Sequence, residues 1–557
     1  MRTNHILTLF GCSLFLMTSC SKLGKLSADN FSVTPNPLEV TGGKVTATVE
    51  GQFPEKYMNK KATVTVVPEL HYAGGQVAKG QPMTFQGEKV MGNNKTISYR
   101  LGGRYTMKTT FDYVPAMQKS DMYLAFDAYL GKSKVEVPAV KVATGVIATA
   151  ELYREAIRHE GACLALDSFQ RVIDKKQEAN VKFLINQANL RSSELKNNSV
   201  QEFVSMLKRI NADREKLAIK NVEVQAYASP EGGFAFNDKL AGKRQDVSEG
   251  YVKQQLKGTK LKTDIDAHYT AQDWEGFMKL VKASNIQDKD VILRVLSMYK
   301  DPQEREQQIR NMSEAFRELA DGILPELRRS RLIINYQVVG RSDEQIQQQY
   351  AADPAKLSLE ELLYAASLTN DVKAKKGIYQ KATELYNKDY RAYNNLAALA
   401  LNQGDEATAN AYLEKALRVN RKAPEAYANK AYIFLTHGQV DKAEHALADA
   451  TEANGFDEIL GNLNIARGNY ANATDELYNN NNSAALAQLL NKNYVAAEQT
   501  LKAIKAPNAL TLYLFAVLNA RQGKNDAAAT YLKDALRKDP SLAEYAKNDL
   551  EFAKVNR

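Results

Sequence analysis

Tyr393, Leu396, Ala397, Gly404, Ala409, Leu413 and Ala416 return thirty-four residues later, in perfect register, as Tyr427, Lys430, Ala431, Gly438, Ala443, Leu447 and Ala450. A fixed period of this length marks a chain built from stacked supersecondary units. Small residues are required where the two helices of a unit cross closely, at Ala397, Ala409 and Ala416, and larger ones fill the space between units. A third complete copy carries Ala516, Gly523, Ala528, Leu532 and Ala535, with Pro540 ending its second helix. Shorter, irregular units lie between, marked by Gly468, Ala473 and Leu477 and then by Lys492, Ala497 and Leu501. A degenerate unit around Leu359 to Leu385 opens the array, which is expected to occupy residues 356–557.

The period and the placing of the small residues resemble the tetratricopeptide repeat. That resemblance implies an α-solenoid, because a helix pair that cannot hide its apolar face alone buries it against the next pair and leaves a concave surface. Such a surface commonly takes an extended peptide or a partner's helix, here expected to come from another envelope protein. Tyr393 and Tyr427 stand at the repeat's Trp position and are read as packing residues. Asn394 and Asn429, on the first helices of their units, are the candidate contacts to a partner's backbone.

Upstream, residues 29–147 are rich in Val, Thr, Tyr and Phe. They are broken by turn signals at Pro35-Asn36-Pro37, Gly42-Gly43, Gly74-Gly75, Gly92-Asn93-Asn94 and Gly102-Gly103. Runs such as Lys44 to Val49 and Ala62 to Val67 alternate with period two, which predicts an all-β sandwich. Its role is read as a spacer or docking module.

Residues 148–345 mix strands with amphipathic helices and predict an α+β domain. Strands are expected at Asn180 to Ile185, Val222 to Tyr227, Ile265 to Tyr269 and Arg331 to Tyr336, with helices from about Trp274 to Glu326 inserted before the last. Within it, Asn237-x-x-Leu240-Ala241-x-x-Arg244 follows Ser229-Pro230-Glu231-Gly232. This spacing is similar to the OmpA-like domain, a module that grips peptidoglycan. The resemblance implies a site formed by Ser229, Gly232, Asn237, Leu240 and Arg244, in which the Arg takes the carboxylate of a stem peptide by a charge-assisted fork. Ser229 stands where the family has an Asp, so an ammonium partner would lose its ion pair. Read without the resemblance, Asn237 caps a helix, Arg244 is a solvated helix residue, and Asp273 caps the helix that begins at Trp274.

Arg2 precedes an apolar run, Ile6 to Met17, and Thr18-Ser19-Cys20 follows. This is the layout of a secretory signal peptide over 1–19, and it resembles a bacterial lipobox with Cys20 lipidated and 20–28 as linker. Cys12 is the rival cleavage position, and a cleaved signal with a free cysteine is the other alternative. Beyond Cys20 the chain has only Cys163, so no intrachain disulfide is expected. The net charge of +9 is interspersed and not blocked, which points away from nucleic acid. No later run approaches the ~20 apolar residues of a spanning helix, leaving lipid as the membrane anchor.

The six histidines are scattered, with no metal-ligand spacing, no G-x-S-x-G and no phosphate loop. No catalytic residue, metal or cofactor is therefore expected. The layout resembles lipoproteins of the Bacteroidota, and Ser21-Lys22-Leu23-Gly24-Lys25 favours the periplasmic face of the outer membrane over the cell surface. The expected function is a non-catalytic scaffold, its repeats holding a protein partner and its OmpA-like domain touching peptidoglycan. The alternative is a surface or fimbria-associated structural component whose OmpA-like domain is a spacer without ligand.

Overall fold

The computed structural model describes residues 23–286, 289–311 and 313–555. The expected signal peptide and Cys20 lie outside the described residues. The chain divides into two compact units, one made of residues 1–167 with 369–557 and the other of 168–368. Residues 148–167, assigned by sequence to the α+β domain, thus belong with the array, and 356–368, assigned to the array, belong with the α+β unit. The first difference has a physical cause: Leu152, Tyr153, Ala156, Ile157 and Cys163 bury their side chains in the apolar core of the array.

The first unit opens with two sheets around one apolar core. Strands Phe31–Thr34, Leu38–Thr41, Lys44–Phe53, Gly103–Asp112 and Val146–Ile147 form the smaller sheet. Ala62–Tyr72 and Ser120–Leu130 form the spine of the seven-stranded one. Period-two patterning does the work. Val45, Ala47, Val49 and Phe53 point inward from one strand, Ala62, Val64, Val66 and Leu70 from another, and all join one core. Both strands run past the expected runs, to Phe53 and Tyr72.

The rest of this unit is helical, with TPR-like repeats. Helices Arg391–Asn402 and Glu406–Val419 make one pair, and Pro424–Thr436 with Val440–Ala448 the next. Phe456–Arg467 with Tyr470–Glu476, Asn482–Leu490 with Tyr494–Ala503, and Ala509–Arg521 with Asn525–Lys538 follow. Ala397, Ala409, Ala416, Ala431 and Ala443 are fully buried at the crossings. Between the helices of a pair the chain turns through a left-handed residue: Gly404, Gly438, Gly468 and Gly523 have φ between 69° and 80°. Lys492 takes the same conformation at φ 62° with a side chain attached. The carboxyl end of the array is fastened to the segment leaving the sheets, where the Tyr545 hydroxyl donates to the Ala148 carbonyl at 3.1 Å and Thr149 Oγ1 to Glu551 at 2.6 Å.

The second unit is a four-stranded sheet in the order Val172–Lys182, Arg329–Val339, Leu217–Tyr227, Asp264–Thr270, antiparallel except for the last pair. Element order follows the expected strand–helix alternation, with five helices among the described residues between Trp274 and Leu327 before the last strand. The first strand ends at Lys182 and not at Ile185. Its early half, Val172 to Gln177, lacks apolar alternation and is recruited by pairing with Gln337 to Val339 and their neighbours. Helices Asn198–Ala212 and Phe234–Thr259 cover one face through Val200, Phe203, Leu207, Val252 and Leu256. No helix among the described residues is long and apolar enough to cross a membrane.

Candidate functional site

The first helices of two consecutive pairs, Arg391–Asn402 and Pro424–Thr436, present asparagines to an extended strap, Gly161 to Asp167, that belongs to this same chain. Asn429 accepts the Cys163 N–H at 2.7 Å and donates to the Cys163 carbonyl at 2.8 Å. Asn395 does the same for Ala165, at 2.8 and 3.0 Å. Each amide therefore satisfies both hydrogen-bonding groups of one residue, as a neighbouring β-strand would. The geometry follows from two periods. Asn395 and Asn429 are equivalent positions of consecutive repeats, and the residues they hold are two apart, the distance after which an extended chain faces the same way again.

Other side chains extend the clamp. Asn394 donates to the Cys163 carbonyl at 3.0 Å and accepts from Asn429 at 2.9 Å. Asn402 accepts the Ala162 N–H, Asn454 donates to the Leu164 carbonyl, and Arg391 donates to the Asp167 carbonyl at 3.0 Å. Asn394, Asn395 and Asn429 are all but inaccessible to solvent. A Cβ on Gly455 would sit 3.0 Å from the Cys163 sulfur, so the glycine leaves room for that side chain. Burial pushes the Cys163 thiol up to about 12, with Glu425 and Glu458 adding to the effect.

Asn394 and Asn429 thus read peptide backbone, as their residue type suggested, but the backbone is the chain's own. Asn395, Asn402, Asn454 and Arg391 escaped the sequence reading. For Asn395 a signal existed, since it and Asn429 stand thirty-four residues apart. For the others, no periodicity marks them.

In the second unit the residues of the OmpA-like motif come together around the loop that follows strand Leu217–Tyr227. Asn237 donates to the carbonyls of Ser229 and Gly232 at 2.9 and 2.8 Å, closing the loop from inside the helix and not capping it. Gly232 packs so tightly there that an added Cβ would lie 3.0 Å from Asn237 Oδ1. The Ser229 hydroxyl donates to Glu231 at 2.8 Å, and Leu240 packs with Ala228 and Ala241.

Arg244 is 1% exposed. Its Nε, Nη1 and Nη2 donate to the carbonyls of Gln187, Tyr227 and Leu184 at 3.0, 2.8 and 3.2 Å, and the guanidinium lies 4.9 Å from the Phe183 ring centre. Burial lowers its pKa to about 10, Arg328 adds to the lowering, and Glu231 opposes it. Glu231 in turn binds Arg328 through both carboxylate oxygens at 2.9 and 3.0 Å. Asp273 accepts from the Gly276 N–H at 2.8 Å and so caps the helix at Trp274.

Stacked helix pairs with left-handed glycines between them define a helical-repeat protein, here holding an extended segment of its own chain. Residues 390–422 match the family model of the tetratricopeptide repeat. Among solved structures, the Pseudomonas aeruginosa pilF protein is 19% identical, covering 37% of this chain and 98% of its own at a TM-score of 0.27. A tetratricopeptide repeat protein from Parabacteroides merdae is 15% identical, covering 44% and 99% at 0.28. YrrB, a tetratricopeptide repeat protein with an unusual peptide-binding site, is 21% identical, covering 30% and 97% at 0.22. No curated protein sequence matches the chain.

Proposed function

We propose that this protein is a non-catalytic scaffold of the bacterial envelope, tethered at the outer membrane through lipid on Cys20 and facing the periplasm. The observation that carries the scaffold reading is the asparagine clamp. Its polar side chains all serve to hold peptide backbone, and the strap they hold makes the sheets, the strap and the array one body. With the strap in place, a protein partner meets the array on surface the strap leaves open, including the solvent-facing second helices. Photo-crosslinking in cells from exposed positions such as Lys415 and Lys442 tests this. Specific protein adducts from these positions are expected, and their absence from every second helix would remove the adaptor role. Cys20→Ser is expected to move the full chain from the membrane to the soluble fraction, whereas retention would remove the lipid anchor.

For the central unit, element order and motif spacing support an OmpA-like fold, while the burial of Arg244 argues against a grip on the cell wall through this motif. A carboxylate ligand would have to displace three backbone carbonyls and enter beside the Glu231–Arg328 pair. Hydrogen bonds to a charged group are worth about 1.5–3 kcal/mol each, so giving up these three is costly. Sedimentation of the full chain with purified peptidoglycan is therefore expected to leave it in the supernatant. Co-sedimentation would restore the wall-binding reading.

A further inference from the structure

The four-stranded sheet of the second unit has a second face, opposite its two long helices, on which polar side chains surround the buried Ile333. Glu178, Asn180 and Lys182 alternate along one strand, Arg331 and Asn335 along the next, and Glu223, Gln225 and Tyr227 along the third, in register with one another. They hold each other in place. The Tyr227 hydroxyl and Arg331 Nη1 both donate to Gln225 Oε1, at 2.9 and 3.2 Å, and Arg331 Nη2 donates to Glu178 at 2.8 Å. Gln225 donates onward to Glu223 at 2.8 Å. At one end of this face, where helix Trp274–Ala283 rises beside it, lies a cleft of about 740 Å³. That is within the ~300–1,000 Å³ of small-ligand sites.

The charge of the cleft decides what fits. Four carboxylates and four cationic side chains line it, so an ion of either sign meets no net attraction. Arg331 with Glu178, and Arg329 with Asp273 at 3.0 Å, are already paired across it. A hydroxyl group is both donor and acceptor. It can insert between a carboxylate and a guanidinium, accept from one and donate to the other, and leave both satisfied. Many hydroxyls on one rigid frame would engage several such pairs at once, and the network that fixes the side chains lowers the cost of ordering them on binding.

We infer that this polar sheet face and its cleft bind an uncharged, hydroxyl-rich ligand, a neutral oligosaccharide. The test is affinity electrophoresis of the full chain in native gels containing mannan, dextran or a β-glucan, with polygalacturonate as the acidic counterpart, at low salt and at about 0.5 M salt, where screening reaches within a few Å. Two variants probe the site from opposite walls: Asn180→Ala removes an exposed amide, and Lys279→Trp fills the cleft from the helix. Retardation by at least one neutral polymer, unchanged by salt and weakened about tenfold or more by each variant, is the expected result. No retardation by any of the three, retardation by polygalacturonate alone, or retardation that both variants leave intact would overturn the inference. Unchanged circular dichroism melting of the two variants separates loss of the site from loss of the fold.

Discussion

Replacing Asn429 by Ala tests the clamp most directly, because a single side chain supplies both hydrogen bonds to Cys163. The Cys163 carbonyl keeps its bond from Asn394, but the N–H loses its acceptor in a buried site. A buried donor without a partner costs about 1–3 kcal/mol, and the bond from Asn429 to Asn394 is lost as well. A sum of about 2–3 kcal/mol makes an undocked strap roughly 30 to 150 times more populated. The thiol of Cys163 reports this population. While the strap is docked the thiol is buried, with a pKa near 12, so at pH 8 its reaction with a disulfide reagent passes through the open strap.

In a chain whose Cys12 and Cys20 are replaced by Ser, Asn429→Ala is expected to raise the labelling rate by that factor with the circular dichroism spectrum unchanged. Asn394→Ala together with Asn429→Ala should depart from additivity, since the two side chains bond to each other and share the Cys163 carbonyl. A labelling rate within about twofold of the parent, in a folded variant, would mean that the asparagines do not hold the strap, and the clamp reading would be lost.

Other perturbations probe other links. Asp549 is buried at the end of the array, and burial raises its pKa to about 6 against the opposing bond from Tyr513 at 2.6 Å. Because its folded pKa lies above the unfolded one, the stability it favours is complete below about pH 4 and is lost as pH rises to 6. Asp549→Asn should abolish that decline and leave the protein up to about 3 kcal/mol more stable at pH 7, as read by denaturant titration across pH; an unchanged pH profile would contradict the assignment. Lys492→Gly relieves a left-handed backbone at φ 62° and should raise stability by about 1 kcal/mol, seen as a higher melting temperature, whereas no gain would argue that the turn is unstrained. Arg244→Ala removes three hydrogen bonds to backbone carbonyls in the second unit, of which that of Leu184 still accepts from the Gln187 N–H, and should cost about 3–5 kcal/mol; a variant that melts like the parent would show those bonds to be dispensable.

What the sequence disclosed is what periodicity encodes. The thirty-four-residue recurrence located the helix pairs and the buried alanines, because close helix crossing restricts residue type wherever it occurs. Alternation located the long strands Lys44–Phe53 and Ala62–Tyr72 for the same reason. The strand Val172–Lys182 was legible only in its second half. Val172 to Gln177 bury little, and their extended conformation is set by pairing with a strand more than 150 residues away, which no local pattern records.

The binding residues show a different limit. An asparagine that grips a strand of its own chain and one that waits for a partner's strand have the same chemistry and the same helical position, so sequence identifies the reader and leaves its text open. Asn429 and Arg244 share this property. Each was singled out for a ligand's backbone or carboxylate, and each finds its partners in the chain itself, at Cys163 in one case and at Gln187, Tyr227 and Leu184 in the other. A covalently tethered occupant competes at an effective concentration that reaches the millimolar range, so a free peptide must bind the groove far more tightly than the strap does before it can replace it. On the proposed scaffold function, weak extended peptides are therefore excluded where the strap docks, and a protein partner is expected on surfaces outside the clamp.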